Sequence, residues 1–161
     1  MRLATLILPA LLIAGSGVAA LAQTAPAVAP AASSPASDIV QGRRAAFRLS
    51  GGVLGNLKAA AARGDDVTKL AGQARALGGW ARAIPGMFPA GSNVAPSEAL
   101  PNVWTDRAGF AAKAADYAAA ADTLAELGKA GDTAGFTAQL DAVGKTCGGC
   151  HAVYHVPPKA G

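Results

Sequence analysis

The sequence predicts an all-α fold, an antiparallel bundle of four long helices. Three observations carry this reading. Apolar residues recur at steps of three and four along four separate segments. No window alternates apolar and polar residues as a half-buried strand does. Two of the three connections are short, and short connections make antiparallel neighbours of successive helices.

The first helix is expected over residues 38–62. Ser37 and Asp38 offer N-cap oxygens, and Arg63-Gly64 supplies a stop. Val40, Phe47, Leu54 and Ala61 repeat at a strict heptad, with Arg43, Ser50 and Leu57 on the intermediate seam. The second helix is expected from 65 or 66 to 84. Its stripe is Val67, Leu70, Ala74, Leu77, Ala81 and Ile84, and Pro85-Gly86 ends it. A long loop, P-G-M-F-P-A-G-S-N-V-A-P-S-E-A-L-P, follows. Loops of this length in compact domains are mostly functional or disordered, and Met87 and Phe88 are apolar enough to tuck under something.

The third helix is expected from 102 or 103 to 127, with Trp104, Ala108, Ala111, Ala115, Ala118, Leu124 and Leu127 on its inner face. The fourth runs from 132 or 133 to about 155, where Pro157-Pro158 stops it. Its stripe is Phe136, Leu140, Val143, Cys147, Cys150 and Tyr154.

Ahead of the bundle, residues 1–22 read as a secretory signal peptide. Arg2 precedes an apolar run over 3–21, and Ala20-Leu21-Ala22 forms an A-x-A-like cleavage site. Pro9, Gly15, Gly17 and a length barely able to span a bilayer speak against a membrane anchor. The mature chain is expected outside the cytoplasm with no membrane attachment. Residues 23–37, QTAPAVAPAASSPAS, read as a flexible segment, and 38–161 as one domain.

The formal charge of +4 becomes +3 once Arg2 leaves with the signal. Basic and acidic residues are scattered without a Lys/Arg block, so no nucleic-acid partner is expected. Aromatics are only 5% of a chain whose helices are rich in Ala. Such helices bring little side-chain volume to a core, and a large buried cofactor would supply what is missing.

Both cysteines and both histidines fall within K-T-C-G-G-C-H-A-V-Y-H, residues 145–155. Four chemistries compete for them. A disulfide between residues three apart in a helix would hold nothing distant together. A redox dithiol needs its first Cys at a helix N-terminus, whereas this pair lies in a C-terminal half. Zinc would need four ligands to converge from two turns of one helix, unlike the usual split spacing. The fourth reading is C-x-x-C-H as covalent haem attachment: Cys147 and Cys150 each form a thioether, and His151 ligates the iron. Export supports it, since this attachment is made outside the cytoplasm. The cysteines stand in register with Phe136, Leu140 and Val143, so they face the bundle interior near the C-terminal end of its last helix. Gly148 and Gly149 let a flat macrocycle approach the backbone.

The chain resembles the cytochrome c′ family, the class II c-type cytochromes, over residues 39–154. The resemblance rests on C-G-G-C-H at the end of the last helix, R-R-A-A-F from Arg43 to Phe47, W-A-R-A-I-P-G-M-F-P-A-G-S from Trp80 to Ser92, and P-N-V-W from Pro101 to Trp104. It implies one covalently bound haem c. Arg43 matches the arginine that meets a haem propionate, and its plainer reading is a solvated surface residue. Arg44 stands where relatives often have Gln, as a second haem contact. Glu98 matches a loop position against the haem edge, or is an exposed loop acid. Phe47 occupies the position over the open side of the iron, where low-spin relatives place a Met ligand. His155 replaces an Arg or Lys beside the proximal haem face, or caps the helix end.

Phe47 has no lone pair to donate, so the resemblance implies five-coordinate, high-spin iron. The implied function is binding of small gases, NO and CO, with electron transfer to a redox partner protein as the alternative. A haem-free bundle is the reading from another class. No catalytic constellation is expected. An apolar distal pocket without hydrogen-bond donors is expected around Phe47, disfavouring O₂. Family members are commonly homodimers through their first two helices, and a periplasmic homodimer is the expectation here.

Overall fold

The structure, a computed structural model, describes residues 34–157. The expected signal peptide, and all of the 23–37 segment but its last four residues, lie outside the described residues. Helix α1 spans Pro35–Ala62, three residues earlier than expected. The reason is local: Ser34 Oγ accepts from the Ser37 N–H at 3.2 Å, and Pro35 sits in the first turn, where its missing N–H costs nothing. Ser37 is therefore capped rather than capping.

The second expected helix is one stripe on a broken backbone. A 3₁₀ turn over Val67–Lys69, capped by Asp66, leads into α2, Ala71–Ala83, and a second 3₁₀ turn covers Ile84–Met87. The stripe holds through the breaks: Val67, Leu70, Ala74, Leu77, Ala81 and Ile84 are all buried.

The third expected helix is two. Helix α3, Asn102–Thr105, ends at Asp106, whose backbone is non-helical. Helix α4, Arg107–Ala130, then starts afresh, with Asp106 Oδ1 accepting from the Gly109 N–H at 3.0 Å. The break shifts the inner face. Phe110, Ala114, Tyr117, Ala118, Ala121, Leu124 and Ala125 are buried, while Ala108 and Ala115 are exposed. Alanines on every side of this helix leave the phase undefined in the sequence, and the bulk of Phe110 and Tyr117 decides it. Gly131, with φ 71°, closes α4 in the left-handed conformation.

Helix α5 spans Thr133–Tyr154, with Asp132 capping Gly135 at 2.8 Å. Phe136, Leu140, Val143 and Tyr154 are buried, and Cys147 and Cys150 continue the stripe half-buried.

The long helices form a four-helix bundle with no strand among the described residues. Helix α4 packs broadly on α2 and α5. An added Cβ at Gly128 would stand 3.1 Å from the Val67 carbonyl, so glycine permits the close approach of α4 to the start of α2. Helix α1 packs on α2 and α5, and Phe47 and Leu54 on its inner side stay only half-buried. The space they face is the site.

Candidate haem site

One cavity of about 430 Å³ opens between α1, α4, α5 and the 85–101 loop, a size suited to a small-molecule group. Every residue singled out from the sequence stands on its wall: Arg43, Arg44 and Phe47 from α1, Glu98 from the loop, and Cys147, Cys150, His151 and His155 from the end of α5.

The two thiols are free. Burial pushes the Cys147 thiol up, and burial followed by Cys147 does the same to Cys150. A redox dithiol needs the opposite shift. Among the described residues no three His, Cys, Asp or Glu side chains converge on a point, so the four ligands of a zinc site are not assembled. His151 opens to solvent at the cavity mouth. Loss of part of its hydration, and then His155 with its ring 5.1 Å away, hold the imidazole below its usual value. That keeps a nitrogen lone pair ready for a metal. A Cβ added at Gly148 or Gly149 would meet nothing within 4 Å, so no protein atom requires glycine there.

Arg43 is 2% exposed and carries the buried charge of the site. Its Nη1 donates to Ser92 Oγ at 2.9 Å and to the Met87 carbonyl at 3.4 Å, and its Nη2 to the Ser92 carbonyl at 2.9 Å and to Ser97 Oγ at 2.7 Å. Its guanidinium lies 4.2 Å from the centre of the Phe88 ring. Four of its five donors thus hold the loop, a role the sequence did not reveal. Burial pulls its pKa down, yet an arginine stays charged. No carboxylate pairs with it among the described residues.

The loop is pinned at both ends. Trp104 Nε1 donates to the Pro89 carbonyl at 2.9 Å, and Arg107 Nη2 to the Pro85 carbonyl at 2.8 Å. The Val156 N–H donates to the Glu98 carbonyl at 2.9 Å, and the Leu100 N–H to the Tyr154 carbonyl at 3.0 Å. Ala99 and His155 so form an isolated antiparallel bridge. His155 is the extended C-cap of α5, one residue beyond the helix expected to hold it. Its Nδ1 lies 2.6 Å from the Val156 carbonyl and so carries the proton, and its Nε2 lies 4.0 Å from Glu98. Arg44 bonds the Pro96 carbonyl and stands 3.4 Å from the same Glu98 carboxylate.

These features fit a haem. Four bases, Arg43, Arg44, Arg48 and Lys113, line a wall on which Glu98 is the one acid described, an imbalance that suits a group with two carboxylates. Two half-buried thiols and an imidazole at the cavity mouth stand together at the end of α5. Sequence reasoning missed Ser50, Lys113, Tyr117 and Thr146, which also line the cavity. The expectation of an apolar pocket around Phe47 rested on that residue alone; the wall of the whole cavity also carries the hydroxyls of Ser50 and Tyr117. Tyr117 was hidden by the misplaced phase of α4, and Ser50 was placed on the seam but given no role.

A bundle that turns C-x-x-C-H inward on its last helix, beside a cavity ringed by arginines, defines a bundle-type c-type cytochrome. The sequence profile described as Cytochrome C′ matches residues 38–155, and the chain belongs to that family. Haem c, one per chain and covalently attached, is its cofactor. The chain is 35% identical over 121 residues to cytochrome c-556 of Agrobacterium tumefaciens (strain B2A), covering 73% of this chain and 96% of that one. It is 49% identical over 55 residues to cytochrome c′ of Rubrivivax gelatinosus, 34% of this chain and 43% of that one. The crystal structure of cytochrome c′ from Rubrivivax gelatinosus superposes with a TM-score of 0.67 at 32% identity, over 74% of this chain and 96% of that one. The fold is also shared with a nitric oxide complex of a cytochrome c′ variant from Alcaligenes xylosoxidans, with a TM-score of 0.70 at 22% identity, over 79% and 100% of the two chains.

Proposed function

We propose that this chain is a periplasmic haem c protein that binds small diatomic gases, NO and CO, at five-coordinate high-spin iron. The observation that supports it is the cavity wall itself. His151 stands on the α5 wall, and Phe47, a hydrocarbon with no lone pair, stands on the α1 wall among the cavity's other α1 residues, none of which is a Met or His. Met87, the one methionine among the described residues, is not on that wall. His155 follows His151 on the same chain end.

In this reading Cys147 and Cys150 hold the group by thioethers, and His151 is the axial ligand. Arg43 and Arg44 face its carboxylates with their charge, Glu98 and His155 edge it, and Phe47 covers the open side. When bound, the haem supplies an iron that takes one diatomic ligand and cycles between two oxidation states. Phe47 restricts entry to ligands small enough to pass its ring. It is itself seated on Trp80, edge to face at 5.1 Å. The competing reading, a dedicated electron carrier for a redox partner protein, is less favoured by an open sixth position, because six-coordinate iron reorganises less on electron transfer.

Helices α1 and α2 share a mostly apolar groove of about 230 Å³ whose wall includes Leu49, Ser50, Val53, Leu77 and Trp80. Leu49 is 72% exposed, and Trp80 Nε1 is a buried donor with no partner among the described residues. Together with the family resemblance these support a homodimer through the first two helices. Among the described residues no helix is long and apolar enough to cross a membrane.

The deciding experiment is the ferrous absorption spectrum with and without CO and NO. High-spin character that converts on adding gas is expected. A split low-spin pattern without added gas overturns the five-coordinate reading, and a missing Soret band overturns haem attachment. Cys147→Ser/Cys150→Ser should lose all haem that survives denaturing electrophoresis.

A further inference from the structure

The polar groups of the cavity wall are almost all engaged. Arg43 gives its donors to the loop. Tyr154 gives its proton to Asp106 at 2.6 Å. Thr146 donates to the Val143 carbonyl at 2.7 Å, and Ser50 to the Phe47 carbonyl at 2.9 Å. Arg48 and Lys113 can extend to water. Tyr117 differs. It is 7% exposed, lines the cavity from α4, and the polar groups beside its hydroxyl are Ser50 on α1 and Cys147 on α5. No carboxylate or carbonyl takes its proton among the described residues. The single proton of Ser50 is already given to a carbonyl, so between the two hydroxyls only Tyr117 has one to offer.

Ser50 lies one turn after Phe47 on the same face of α1. The Tyr117 hydroxyl therefore enters the cavity against the helix surface that carries Phe47. We propose that Tyr117 is the hydrogen-bond donor to a diatomic ligand in this cavity and sets which gases are retained. Ser50, with its own proton turned away, is the acceptor on which the Tyr117 proton rests when no ligand is present. The hydroxyl stays protonated throughout the neutral range, because its burial, the first cause of its raised value, does not depend on the state of Cys147. The site so pairs a hydrocarbon barrier, Phe47, with one neutral donor. It holds polarisable ligands longer than a wholly apolar pocket would. This rests on the gas-binding reading above.

The test uses the holoprotein and CO as probe. The infrared C–O stretch of the ferrous adduct is recorded in H₂O and D₂O for wild type and for Tyr117→Phe, which removes one oxygen and keeps the ring. In wild type the stretch should shift between H₂O and D₂O. In Tyr117→Phe that isotope shift should vanish, the stretch should rise, and CO should leave roughly two- to tenfold faster, the factor for one lost hydrogen bond. A stretch insensitive to both solvent and substitution, with CO bound, overturns the donor role and leaves gas binding standing. Failure of the wild type to take up CO overturns both readings. Ser50→Ala removes the competing acceptor and should leave the isotope shift in place or enlarge it. Its disappearance there would make Ser50, not Tyr117, the donor and overturn the proposal.

Discussion

The Tyr154 hydroxyl donates to Asp106 Oδ2 across 2.6 Å, fastening the last turn of α5 to the residue that caps α4. Gly109 makes room for it: an added Cβ would lie 2.5 Å from that hydroxyl and 2.3 Å from the carboxylate. Gly109→Ala should therefore cost about 1–3 kcal/mol by forcing the pair apart, read as a lower Tm.

The same pair gives the stability a pH signature. The hydrogen bond from Tyr154, and then the Gly109 N–H, hold the Asp106 carboxyl below its usual 3.8. Its folded pKa is the lower one, so the contribution is present above 3.8 and lost as pH falls through the folded value. Tyr154 is pushed up from 10.0 to about 12, chiefly by Asp106. Its folded pKa is the higher one, so its contribution is complete below pH 10.0 and lost as pH rises toward 12. Tyr154→Phe should remove the alkaline dependence from a denaturation-versus-pH profile and weaken the acid one, where the Gly109 N–H still holds Asp106. A profile unchanged at both ends would show that the contact does not govern them.

Arg43→Gln should release the loop before it releases the bundle. It removes a buried charge with four hydrogen bonds, a loss of roughly 3 kcal/mol or more. Amide hydrogen exchange should quicken at Ser92, Ser97 and Leu100, while Leu124 and Val143 in the core keep their protection. Uniform loss across the bundle would contradict a clamp confined to the loop.

Phe47→Ala should admit CO roughly tenfold faster in flash photolysis, a barrier change of about 1.4 kcal/mol. Phe47→Met should place a sulfur on that side and turn the ferrous spectrum low-spin. An unchanged CO association rate in Phe47→Ala would remove Phe47 from the entry path.

Leu49→Glu places a charge on the α1–α2 groove without touching the cavity. Sedimentation should show a monomer where the wild type is a dimer, with the visible spectrum unaltered. A wild type monomeric at every concentration would set the dimer reading aside.

Much of this was legible in the sequence because helix periodicity is a local property. The stripes of the second and fourth expected helices reappear residue for residue, since large apolar side chains alternate there with polar ones and the phase is unambiguous. C-x-x-C-H is equally local: its spacing alone puts two sulfurs and an imidazole on one helix end. The third helix failed on both counts. Its alanines fit any face, and Asp106, which caps α4 at the break, also takes a hydrogen bond from Tyr154, 48 residues away.

What the sequence determined by itself was the helical class, the inward face of the last helix and the chemistry of haem attachment, each written in residues a few positions apart. Tertiary structure alone decided what Arg43 bonds, that the 85–101 loop pairs with the end of α5, and that the face of α4 carrying Phe110, Ala114 and Tyr117 lines the cavity. Those are contacts between residues distant along the chain. Burial sets their strength and the packing of whole helices sets their geometry, and neither quantity exists until the bundle closes.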